Sequence, residues 1–129
     1  MNQRHRLTTS ACAILLAIAS PWAQAQDFPP KKSVTIVVGF AAGGAADAAA
    51  RIIGKKLGDN LGVPVIIDNK PGAGGNIGMA HAAKAKADGY TLVLTADSAA
   101  VINPSLYKTT GFDTLRDFEP VTPVATAGY

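Results

Sequence analysis

The run Val34-Thr35-Ile36-Val37-Val38, passing straight into Gly39-Phe40-Ala41-Ala42-Gly43-Gly44-Ala45-Ala46-Asp47, constrains the fold more than any other stretch. β-Branched residues without polar alternation suit a strand covered on both faces, as in parallel sheets. Gly43 and Gly44 permit a sharp turn and close approach to a guest. Asp47 is expected to cap the helix that follows, or to offset its positive end. Strand, glycine turn and helix start together present backbone amides to an anion, at the strand end where open α/β sheets bind ligands.

The alternation continues. Ala49, Ile53, Leu57 and Leu61, with Ile52 beside them, define an amphipathic helix ended by Gly62. Gly54 and Gly58 inside it are expected where that helix lies close to the sheet. Val63 to Asp68 reads as a second buried strand with Pro64 near its start. Asn69 to Asn76 is a second glycine-rich turn, leading to an alanine-rich helix from Ile77 to Lys86. Asp88-Gly89 then turns into a third strand, Tyr90 to Thr95. Three strands separated by two helices make a βαβαβ unit of the α/β class, with a parallel sheet and right-handed crossovers. Beyond it, Ala96 to Ala100 is a third strand-to-helix loop and Asn103-Pro104 a break. A helical turn is expected over Ser105 to Lys108, and another near Phe112 to Phe118 with Asp113 as cap. Glu119 to Ala125 is a candidate fourth strand, confined by Pro120 and Pro123 to an edge or a crossing segment.

Residues 1–25 read as a secretory leader: Arg4 and Arg6, an apolar core from Ala11 to Ala19, and the small-x-small site Ala23-Gln24-Ala25. The apolar core is shorter than the roughly 20 residues of a membrane-spanning helix. Cys12 precedes most of that core and has no leucine three places back, which sets lipidation aside. Cleavage before Gln26 removes the single cysteine, the single tryptophan and two of the twelve basic residues, leaving ten basic against nine acidic. The net charge of +3 is largely a property of the leader, and no basic stripe supports a nucleic-acid partner. Without a thiol there is neither a disulfide nor a thiolate metal site. The remaining length suffices for one small domain with its own core.

Catalytic and cofactor patterns are missing from the sequence. Gly72, Gly74 and Gly78 are spaced G-x-G-x-x-x-G, with Ile77 where a dinucleotide fingerprint wants glycine, and neither glycine loop carries the Lys-Ser/Thr of a P-loop. There is no G-x-S-x-G elbow, and His81, inside an alanine-rich helix, reads as an ordinary helix residue. Asp47, Asp68, Asp88 and Asp97 follow no metal-loop spacing and read as cap or turn carboxylates, Asp97 being the candidate for more. The expectation is a protein with no cofactor, no metal and no catalytic activity.

In order along the chain, Val37-Val38-Gly39-Phe40, Gly43-Gly44-x-x-Asp47, Ala50-Arg51, Pro71-Gly72-Ala73-Gly74-Gly75-Asn76-Ile77-Gly78, Asp88-Gly89-Tyr90-Thr91-Leu92 and Asp117-Phe118-x-Pro120-Val121 resemble the Bug family, extracytoplasmic receptors of tripartite tricarboxylate transporters. The resemblance implies a two-lobed, Venus-flytrap periplasmic-binding-protein fold of type II, with residues 26–129 as the incomplete N-terminal part of its first lobe. It implies a periplasmic receptor, monomeric when complete, holding a small carboxylate (a dicarboxylate, tricarboxylate or related organic acid) between its lobes and delivering it to the membrane subunits of the transporter. Ligand contacts would come from the loops after the first and third strands, through amides, small polar side chains and waters. Those roles fall on Phe40, Ala42, Gly43, Gly44 and Asp47, and on Thr95, Asp97 and Ser98. Two other readings stay open: a secreted α/β enzyme whose catalytic residues lie beyond this segment, and a ligand sensor feeding a two-component kinase.

Overall fold

The computed structural model describes residues 32–126; the leader and its cleavage site lie outside them. Strand β1 (Val34–Val38) is the middle of a wholly parallel sheet, with β2 (Val65–Asn69) on one side and β3 (Thr91–Leu94) on the other. Its place accounts for its composition: Val34, Ile36, Val37 and Val38 are at most 3% exposed, because both faces of a central parallel strand are covered. Val38 stands opposite Asn69 and Leu94, so the three strands end level and their outgoing loops share one edge. Near the opposite edge, the Lys32 ammonium pairs with Asp88 at 2.7 Å and lies over the Tyr90 ring.

Helix α1 (Ala45–Leu61) carries the chain from β1 to β2, and α2 (Asn76–Ala83) carries it back across β1 to β3. The two crossovers step in opposite directions, so right-handedness puts the helices on opposite faces. On the α1 face, Ala50 packs with Ile36 and Val38, surrounded by Val65, Ile67, Leu92 and Leu94. Leu57 and Leu61 extend that layer over Val34, Val63 and Tyr90. The stripe Ala49, Ile53, Leu57 and Leu61 is half-buried, and the line of closest contact runs beside it. Ala50 and Gly54 are buried while Ile52 is 73% exposed. A Cβ on Gly54 would stand 3.1 Å from Ile67 Cδ1 and 3.2 Å from Val65 Cγ1. The helix therefore approaches until strand side chains fill the space above its smallest residues. Gly62 closes α1 in the left-handed region with its N–H on the Gly58 carbonyl, as the sequence suggests.

On the α2 face the contact is backbone against backbone. A Cβ on Gly78 would fall 2.6 Å from Gly39 Cα, and one on Gly39 3.0 Å from the Gly75 carbonyl oxygen. The second glycine run thus brings a helix onto the end of a strand. Strand β2 begins two residues later than Val63, because Pro64 has no N–H to give and its carbonyl instead accepts from Val34 N–H. Helix α2 starts at Asn76 and ends at Ala83, short of Lys86.

After β3 a π-helical turn (Ser98–Ile102) runs directly into α3 (Asn103–Leu106). Asn103-Pro104 opens this helix instead of breaking it, since a first-turn proline lacks only an N–H that would have no helical partner. The helical turn expected over Ser105 to Lys108 therefore lies two residues earlier. Helix α4 (Thr114–Asp117) is capped by Asp113, which accepts from Leu115 and Arg116 N–H. Among the described residues no strand forms over Glu119 to Ala125. Pro120 and Pro123 remove two donors from that run, leaving it too few ladder bonds to pair.

Candidate functional site

The strand order β2-β1-β3 puts a topological switch point at the carboxyl ends of β1 and β3, where the chain leaves toward opposite faces. The first wall of that crevice is the β1–α1 loop. Gly43 is in the left-handed region at φ 86°, whereas Gly44, the N-cap of α1, is extended at φ −82° and ψ 175°. Asp47 lies in the first turn of the helix, 3% exposed. Its carboxylate accepts from the Gly43 N–H at 2.9 Å, Arg51 Nε at 2.9 Å and Asn69 Nδ2 at 3.1 Å. The same Asn69 nitrogen donates to the Phe40 carbonyl at 3.1 Å.

Of the two roles the sequence offers, Asp47 is therefore not the N-cap but stands in the first turn, at the positive end of α1. It reaches back past the cap and ties the loop down. The Arg51 hydrogen bond above all, then Gly43 N–H and Asn69, hold its carboxyl down at about 2 against the opposing effect of burial. The same contact raises Arg51. The pair is ionised and mutually neutralised at physiological pH. No side chain caps the first turn of α1, so Gly44, Ala45 and Ala46 keep N–H groups with no helical acceptor, at the positive end of a 17-residue helix.

The second wall comes from the loops after β2 and β3. At the position a Gly75 Cβ would take, the nearest atoms are the Ala99 methyl at 3.0 Å and Phe40 Cζ and Thr95 Oγ1, both at 3.5 Å. Phe40 and Thr95 are thus brought together across a single glycine at φ 98°. The second loop is fastened to α3 by the buried amides of Asn76 and Asn103. Asn103 Nδ2 donates to Asn76 Oδ1 at 2.7 Å and to the Gly74 carbonyl at 3.1 Å. Asn76 Nδ2 and Thr95 Oγ1 are buried with no hydrogen-bond partner among the described residues. Asp97 opens the π-helical turn, its carboxylate accepting from Ser98 N–H at 2.7 Å.

Of the expected site residues, Phe40, Asp47 and Thr95 point into this packed junction, Ala42, Gly43 and Gly44 lie exposed on the first loop, and Asp97 and Ser98 begin the third segment. Sequence reasoning missed Asn69, Asn76 and Asn103, the amides that fasten the loops. Their signal was present: Asn69 and Asn76 bracket the second glycine run, and Asn103 precedes a proline. His81 is an exposed residue of α2 with Nε2 3.9 Å from the Asp68 carboxylate. Among the described residues no three His, Cys, Asp or Glu side chains converge as metal ligands, and no helix is long and apolar enough to cross a membrane. An open groove of about 540 Å³ runs elsewhere, between α1 and the outer side of β2 from Arg51 to Gly62. It is floored by Val65 and Ile67 and rimmed by solvent-exposed Lys55 and Asp59, without converging donors.

An open parallel sheet with helices on both faces and amide-bearing loops at its switch point is the α/β arrangement of a periplasmic-binding-protein lobe. Residues 49–129 match the model of the tripartite tricarboxylate transporter family receptor, and the chain belongs to that family of periplasmic solute-binding receptors. A UPF0065 protein of Bordetella bronchiseptica is 42% identical over 111 residues, covering 86% of this chain and 33% of its own length. The periplasmic binding protein BugD superposes with a TM-score of 0.66 at 42% identity, over 70% of this chain and 30% of that one. MatC of Rhodopseudomonas palustris, with bound malate, superposes with a TM-score of 0.63 at 34% identity, over 74% of this chain and 32% of its own. The chain spans about a third of the length of these relatives.

Proposed function

We propose that residues 26–129 are the N-terminal part of the first lobe of a two-lobed, monomeric periplasmic receptor. It captures a small carboxylate (a dicarboxylate, tricarboxylate or related organic acid) and hands it to the membrane subunits of a tripartite transporter. Residues 1–25 direct export and are removed after Ala25, and the protein catalyses no reaction. The observation that carries the binding role is the uncapped first turn of α1 at the switch point, beside an Asp47 already neutralised by Arg51. A carboxylate there gains the aligned N–H groups and helix dipole without a bare negative charge opposing it. Gly44 with Ala42 and Phe40 forms one side of the guest's surroundings, and Thr95, Asp97 and Ser98 form the other, with water free to bridge. Gly43 and Asp47 serve by shaping the first loop. The malate held by MatC supports the ligand class.

The test is a calorimetric titration of malate, citrate and glutamate against two proteins: residues 26–129 alone, and the same residues joined to the remaining two thirds of MatC. The joined protein is expected to bind at least one of the three. The segment alone should bind at least about tenfold more weakly, because one lobe leaves much of the guest in water. Equal affinities would show that the segment is a complete binding module, and silence from the joined protein would remove the carboxylate reading.

A further inference from the structure

Asn69 ends β2 beside Val38, on the sheet face turned toward α1. The two hydrogens of its amide nitrogen go to two acceptors on the neighbouring loop, the Phe40 carbonyl and Asp47 Oδ1, each at 3.1 Å. Both partners are acceptors, so the nitrogen and not the oxygen must face them. An uncharged planar amide supplies two donors from a single atom at this reach. A carboxylate supplies none, and a hydroxyl supplies one. Through these bonds Asn69 fixes both ends of the first loop: Phe40 where the chain leaves β1, and Asp47 where α1 begins. Asp47 in turn occupies the Gly43 N–H.

We infer that Asn69 is the positioning residue of the β1–α1 loop, deciding which backbone donors face a guest. With Asn69 in place, the Gly43 N–H is taken up by Asp47 and the donors left at the mouth are those of Gly44, Ala45 and Ala46. The inference rests on the carboxylate reading for the identity of the guest, but the arrangement of the loop can be measured without one. Nothing annuls the bond pattern electrostatically: Arg51 on α1 is the charged partner of Asp47. The neighbouring charges on β2 and just beyond it, Asp68 and Lys70, pair with each other at 3.2 Å, and Asp68 faces His81 of α2 on the opposite side of the sheet.

The test uses the full chain with Asn69→Asp, read by amide hydrogen exchange and by amide chemical shifts during a malate titration. In the variant two carboxylates meet where a donor stood. At pH 7 the protection factor of the Gly43 amide should fall about tenfold or more, and malate-induced shifts at Gly44, Ala45 and Ala46 should disappear. Protection should return as the pH falls and the pair takes up a shared proton, a recovery that a merely structural loss of packing would not show. Asn69→Ser, with one donor, should give an intermediate loss of Gly43 protection, and this variant decides the matter if Asn69→Asp does not fold. Gly43 protection unchanged in either folded variant, or a loss in Asn69→Asp that low pH does not reverse, would overturn the inference. Absence of malate shifts in the parent chain would leave the inference to Gly43 protection alone, which reports on Asn69 without a guest, and the carboxylate reading to the joined protein.

Discussion

The two glycine-bearing turns at the carboxyl edge of the sheet look alike in sequence and are held by different forces. The β1–α1 turn hangs on directional, partly charged bonds that converge on Asp47 and Asn69. The β2–α2 turn is held by contact: Gly78 lies against Gly39 with no room for a methyl group, and the neutral pair Asn76–Asn103 fastens its far side. Bonded loops can be retuned by protons or by exchange of one donor. A loop wedged backbone to backbone has no intermediate setting, because neither chain can move without shifting a strand or a helix.

The strongest way to break the comparison is Gly78→Ala. The added carbon would meet the Gly39 main chain at 2.6 Å, so α2 must leave the sheet. We expect a loss of roughly 3 kcal/mol or more, read as a lower urea midpoint and the same at pH 7 and pH 4. The bonded turn should respond to pH instead. Asp47 has its pKa lowered from 3.8 to about 2, so its folded state favours the ionised form. Its contribution to stability is present in full above the unfolded value and is lost as pH falls through the folded one. Melting temperature should therefore drop over this acid range, and Asp47→Asn should melt lower than the parent at pH 7 while losing that part of the pH dependence.

The smallest and most discriminating effect separates the two adjacent glycines of the first loop. Gly43→Ala places a side chain at φ 86° and should cost about 1–2 kcal/mol although nothing crowds the new carbon. Gly44→Ala adopts ordinary extended angles, with its nearest contact at 3.5 Å, and should cost less, about 0.5–1 kcal/mol, because alanine is a poorer N-cap than glycine. Thermal melts of the two variants that coincide would remove the distinction drawn between turn-maker and cap.

These contrasts mark what a reader of the sequence can see. Three apolar strands and two helices announce a parallel α/β unit because burial on both faces leaves no polar alternation in Val34–Val38. The loops of the candidate site follow from that topology. Roles within the loops did not follow, since a cap is defined by where the helix starts, and a start two residues before Asp47 turned an expected cap into a clasp. Asn69 escaped notice because its partners are 29 and 22 residues away. Ile52, next to the stripe in sequence, is exposed, because the helix makes its closest approach at its smallest residues, Ala50 and Gly54, with Leu57 and Leu61 packing beside them. The fourth strand over Glu119 to Ala125 did not form, its two prolines outweighing its valines.

The central place of β1 also has a consequence for how the molecule is made. Among the described residues the first strand to be synthesised waits for both its neighbours: Val34 must find Val65, and Thr35 must find Thr91. Parallel pairing over such separations closes large loops before any ladder bond rewards them, which is slow. Until the residues of β3 have followed, the five-residue run Val34–Val38 has no cover on one side and stays an adhesive segment in the nascent chain. Whatever accompanies this polypeptide before it folds has that segment to shield, for a period set by the arrival of Leu94.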